Sequence, residues 1–133
     1  MSEGSDARRT LSLVLKSQGA YYVVTGIWPI ISINTFQLVT GPKTDLWLVR
    51  MVGLLALTIG LTLLLAGARR NGEPEVILLA VMSALSFSAI DLVYSLSGRI
   101  SKIYAADAFL ELALVVALCW SFARCGTALR RRA

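Results

Sequence analysis

The sequence predicts an all-α integral membrane protein, a four-helix bundle of up-down-up-down topology with both termini in the cytoplasm. Three observations carry that prediction. Of the 133 residues, 56% are hydrophobic, the mean hydropathy is +0.71 and only 16% are charged. Soluble domains hold about 45–50% apolar and about 25% charged residues. Second, the charges cluster and leave four apolar stretches, each near the roughly 20 residues that a bilayer-spanning helix needs. Third, the connections are short and rich in turn formers, so consecutive helices are expected to pack antiparallel.

Residues 1–17 read as a polar tail on the cytoplasmic side, with "LSLVL" at the interface or extending the first helix. Arg8 and Arg9 resemble the start of a signal peptide, but no small-residue cleavage site follows a short apolar core, so a retained span is expected. That first span covers about 18–39, and Gly41-Pro42 in "GPKTD" ends it. Gly26 and Pro29 invite a kink within it, because proline lacks the N–H donor and crowds the preceding turn. Thr44 is a candidate N-cap for the second span, about 45–68. "RRNGEPE" stops that span, and Pro74 suits the first position of the third, about 74–97. "SGRIS" makes the last turn, with Ser101 as a candidate cap for the fourth span, about 102–123. A basic tail, 124–133, follows and leaves no soluble domain to assign.

Orientation follows from the basic residues. Arg8, Arg9, Lys16, Arg69, Arg70, Arg124, Arg130, Arg131 and Arg132 fall on one side, and Lys43, Arg50, Arg99 and Lys102 on the other. The richer side is the cytoplasmic one. The net charge of +5 is therefore a topology signal, and no nucleic-acid partner is expected. The chain has no histidine, and Cys119 and Cys125 form no CxxC pair, so neither a metal site nor a cofactor is expected. The lipid bilayer is the expected partner.

Small residues mark the packing surfaces. Gly53, Gly60 and Gly67 recur every seven residues and form one stripe on the second span. The third span carries Ala80, Ala84 and Ser88 at four-residue spacing. Such stripes let helices approach closely in lipid. Packing within the bundle is expected for both, with a homodimer face as the alternative.

The unusual chemistry lies in "IYAADAFLELALVVALCW", residues 103–120, where Asp107 and Glu111 sit one turn apart in an otherwise apolar segment. Asp91 falls at a similar depth on the third span, and Arg50 on the second. A charge at the bilayer centre costs about 2.5–3.5 kcal/mol on insertion scales, so these groups should face the bundle interior or a wet vestibule. Three acids meet one base, an excess that desolvation and like-charge repulsion relieve by leaving a carboxyl protonated. An outward-facing pocket is expected, with Asp91, Asp107 and Glu111 as acceptors for a proton, a cation or an amine. Arg50 would tune its charge, and Asn34, Trp28, Tyr94 and Tyr104 would line it.

"VTGPKTDLWLVRMVGLL" and "AIDLVYSLSGRISKIYAADAFLE" resemble segments of short four-helix bacterial inner-membrane proteins, a likeness that covers most of the chain. It implies a multi-pass protein of the bacterial inner membrane and brings no activity with it. In plan the chain is also similar to DoxX-like proteins, and in architecture alone to the EXPERA domains that place acids in an intramembrane cavity. No catalytic residue transfers from these likenesses.

Three functions remain open on the sequence. The first is binding or translocation of a proton, cation or small amine-bearing molecule, with transport calling for a homodimer. The second is a structural or accessory subunit, in which Arg50 and a carboxylate form a buried clamp. The third and weakest is an intramembrane lipid or sterol-type isomerase using paired carboxyls. With no GxSxG motif and no nucleotide-binding loop, an enzyme is the less favoured class.

Overall fold

The computed structural model describes residues 2–70 and 72–130, and the side chains of 4–70 and 72–127. Arg131 and Arg132, counted above in the basic tail, lie outside the described residues. The described residues are all-α, with five helices among them: α1 Ser2–Ile31, α2 Ile33–Thr40, α3 Leu46–Ala68, α4 Pro74–Leu96 and α5 Ile103–Arg130. Three of them, α3, α4 and α5, are long and apolar enough to cross a membrane; α1 meets the same test only when joined to α2.

The first expected span is where sequence and structure differ most. The helix starts at Ser2, so the expected tail is the first part of α1. Ala7, Leu11, Leu15, Gln18 and Tyr22 recur every three or four residues and are all buried, whereas Arg8, Arg9 and Lys16 point outward. That amphipathic stripe continues the helix through a stretch whose average composition is polar. At the other end α1 stops at Ile31 instead of running to Val39. Ser32 adopts φ −145° and ψ 88°, and the axis turns by 115° into α2.

The corner comes three residues after Pro29. The proline itself stays helical, and its buried ring packs on Gly53 of α3. Across the corner, Trp28 Nε1 donates to Thr35 Oγ1 at 2.9 Å, and the Trp28 and Phe36 rings meet edge to face at 5.7 Å. The two outermost helices of the sequence are also the longest. At 1.5 Å per residue, the 30 residues of α1 and 28 of α5 extend about 45 and 42 Å, against about 35 Å for the 23 residues of α3 and of α4.

α1 is the central helix, packed on α3 on one side and on α5 on the other, while α4 packs on α5. The glycine stripe of α3 faces α1. A Cβ on Gly60 would stand 2.7 Å from the Gly19 carbonyl oxygen, and one on Gly53 would stand 2.6 Å from that of Gly26. Next to Gly67, Ser12 Oγ donates to the Gly67 carbonyl at 2.6 Å. Ser12, Gly19 and Gly26 thus mirror Gly67, Gly60 and Gly53 at the same seven-residue spacing, and the two backbones touch along the seam. The small residues of α4 serve a different neighbour: Ser88 Oγ donates to the Ala108 carbonyl of α5 at 3.2 Å. Ala80 and Ala84 are fully buried, and the Ala80 carbonyl accepts from Gln18 of α1.

Candidate functional site

The acidic residues gather at the end of the bundle that α2 crosses. Asp107 and Glu111 lie one turn apart on the same face of α5, as their spacing requires. On α4, Ala84, Ser88, Asp91 and Ser95 form one buried strip, which brings Asp91 within electrostatic reach of both Asp107 and Glu111. α1 answers with adjacent phenols. Tyr21 donates to Asp107 Oδ1, and Tyr22 donates to Glu111 Oε2 at 2.8 Å.

One turn earlier on α1, Gln18 Nε2 donates to the Tyr22 hydroxyl at 3.2 Å and to the Ala80 carbonyl at 2.8 Å. A chain of hydrogen bonds therefore runs from the α4 backbone through Gln18 and Tyr22 to Glu111, which is 1% exposed. Phe87 closes the side of Tyr22 with an edge-to-face contact at 5.4 Å.

The two tyrosines, Phe87 and the three acids form part of the wall of a cavity of about 390 Å³, with Gln18 behind Tyr22. Its aliphatic side comes from Leu48, Val49, Val52 and Ala56 of α3, and its aromatic side from Trp28, Phe36, Phe87 and Tyr104. α2 and the loop after it supply Val39, Thr40 and Lys43. Lys43 Nζ donates to the Thr40 carbonyl at 3.0 Å and sits 4.9 Å from the centre of the Tyr104 ring. Burial pushes the Lys43 ammonium below its ordinary range, since both of these partners are neutral.

Of the residues singled out in the sequence, the structure brings together Asp91, Asp107, Glu111, Trp28 and Tyr104. It does not bring in Arg50, Asn34 or Tyr94. Arg50 lies on the exposed side of α3, away from the cavity wall, so the expected clamp between Arg50 and a carboxylate does not form. Asn34 is exposed on α2 beyond the corner at Ser32, and Tyr94, 40% exposed on α4, does not line the cavity.

Four residues were missed: Gln18, Tyr21, Tyr22 and Lys43. The paired tyrosines carried a signal, because two hydroxyl donors in an apolar span need acceptors. Lys43 carried none, since a loop lysine is ordinarily a solvated one. Among the described residues, no three histidine, cysteine or acidic side chains are grouped closely enough to hold a metal ion.

The comparisons with known proteins add no relatives: no family model, no curated protein and no solved structure matches the chain.

Proposed function

We propose that this protein is a four-span protein of the bacterial inner membrane, with α1 and α2 together as the first span and both termini cytoplasmic. On this reading it binds a small amine-bearing organic molecule in the acidic cavity. One observation carries the binding reading. Three carboxyl groups from two helices, two of them accepting from tyrosines, share one cavity whose remaining walls are aliphatic and aromatic apart from Thr25, Thr40 and Lys43.

Ionisable groups inside a membrane protein are expensive and tend to mark a functional path. Ligand pockets have this size and this mixture of apolar wall with a few convergent polar groups. An ammonium placed among Asp91, Asp107 and Glu111 would receive charge-assisted hydrogen bonds in a poorly solvated place. Its carbon atoms would meet Trp28, Phe36 and Tyr104, whose ring faces attract cations. The Arg50 clamp that supported a purely structural role has no counterpart in the site.

The reading is tested with the purified full chain in detergent, titrated with n-hexylamine. Wild type should bind, and Asp107→Asn should weaken binding at least tenfold, about 1.4 kcal/mol, for the loss of one charged acceptor. Equal binding by both proteins removes the acidic cavity as the site. Reporter fusions at each terminus test the orientation, which rests on the unequal distribution of Arg and Lys.

A further inference from the structure

We infer that the cavity is built for a zwitterion, a molecule that joins an ammonium to an anionic group through a short linker; this rests on the amine reading above. The acids explain one pole of such a ligand. Lys43 explains the other. It lines the same cavity as Asp91, Asp107 and Glu111, yet its ammonium is held by a backbone carbonyl and an aromatic ring, with both partners neutral. A cation half-withdrawn from water and supported only by neutral groups is poised to accept an anion.

The spacing of the poles can be read along α5. Tyr104, whose ring touches Lys43, lies three residues before Asp107 and seven before Glu111. At 1.5 Å per residue these steps are about 5 and 10 Å. Along α5 the residue that meets Lys43 and the two carboxyl-bearing residues are thus offset by one to two turns, the scale of an ammonium and an anion joined through a few atoms. A simple amine would leave Lys43 without use, and a simple anion would meet three carboxyls.

The apolar wall supplies a second clue. Leu48, Val52 and Ile103 line the cavity and are also 41%, 42% and 44% exposed. α3 and α5 both lean on α1, and each contributes cavity-lining side chains that are also exposed on the apolar exterior. A hydrocarbon tail attached to the zwitterion could leave along these side chains into lipid. The shared chemistry is thus an ammonium and an anion, with either a lipid headgroup or a free water-soluble zwitterion as its source.

Three probes separate the readings, each titrated into the purified full chain in maltoside micelles: n-hexylamine, O-phosphoethanolamine and dihexanoyl phosphatidylethanolamine. Lys43→Gln should weaken the two phosphate-bearing probes about tenfold, while n-hexylamine binding stays equal or tightens. Asp107→Asn should weaken all three. Tighter binding of the short-chain lipid than of free phosphoethanolamine assigns the headgroup as the source; the reverse order assigns the soluble zwitterion. If Lys43→Gln leaves the phosphate-bearing probes unchanged, the zwitterion assignment fails while the amine site stands. If n-hexylamine binding is absent or indifferent to Asp107→Asn, the amine site fails as well.

Discussion

The two sides of α1 use opposite solutions to the same problem of holding helices together in lipid. Toward α3 the contact is dry and made by backbone: Ser12, Gly19 and Gly26 close on Gly67, Gly60 and Gly53 with no room for a side chain. Toward α4 and α5 the contact is made by polar side chains. Gln18, Tyr21 and Tyr22 reach across to a carbonyl and two carboxyls. The first side reaches the closest approach two helices can make, and it leaves no space. The second holds its neighbours at the length of a tyrosine, and the difference in reach leaves a cavity at the end crossed by α2. Rigidity thus belongs to the seam face of α1, while the cavity opens beside the tyrosines and reaches round to Gly26, Gly53 and Ala56 at one end of that seam.

The sharpest way to break this contrast is to place bulk in the dry seam. Gly60→Leu should cost about 3 kcal/mol, because the new side chain meets the Gly19 carbonyl and the α1 backbone, which can yield only by parting the helices. Gly126→Leu on α5 is the control. A Cβ at Gly126 meets nothing within 4 Å, and the change should stay within about 0.5 kcal/mol. Reversible unfolding in mixed micelles measures both. Equal losses would show that the seam is not where α1 is fastened.

On the polar side, Tyr22→Phe should cost about 1–2 kcal/mol, since it leaves the buried Glu111 without its donor. Pairing it with Glu111→Gln in a double-mutant cycle isolates the bond, and a coupling near zero would detach Tyr22 from the site. Within the seam, Ser12→Ala removes a single hydrogen bond to the Gly67 carbonyl and leaves the glycine contacts intact. Its cost should be near 0.6 kcal/mol, the usual size of an interhelical hydrogen bond in membranes. A larger loss than that of Tyr22→Phe would invert the comparison.

The smallest expected effect is a pH dependence confined to the cavity side. Burial lowers the Lys43 pKa, so between that lowered value and the ordinary lysine value the unfolded chain binds more protons than the native one. Stability should therefore rise with pH across that alkaline window, and Lys43→Met should flatten the rise. A difference titration by thermal unfolding checks the sign. A fall with pH in wild type that Lys43→Met abolishes would contradict the desolvated lysine.

Much of the fold was legible because bilayers impose strong rules on composition. The turns at 41–45, 69–73 and 97–102 and the boundaries of α3 and α4 follow from Gly, Pro and charge placement. The acids were legible through their cost in hydrocarbon. What stayed hidden depended on rotation about a helix axis, which composition does not encode. Arg50 and Val49 are neighbours in sequence, yet only Val49 meets the cavity. The seam on α1 was visible in principle as Ser12-Gly19-Gly26, a second seven-residue repeat, but its first member lay in a stretch read as a tail. The corner at Ser32 was displaced from the expected kink because Pro29 is accommodated by Gly53, and the chain bends only after that contact ends.

The unequal helix lengths carry a consequence of their own. α3 and α4 match a typical hydrocarbon thickness of about 30 Å with little to spare, whereas α1 and α5 overshoot it by more than 10 Å. A thicker bilayer would stretch past α3 and α4 while α5 still spanned it. Hydrophobic mismatch would then fall on α3, packed against α1, and on α4, packed against α5. A change in membrane thickness would thus load one short helix in each of the pairs α1–α3 and α4–α5, each beside a longer partner.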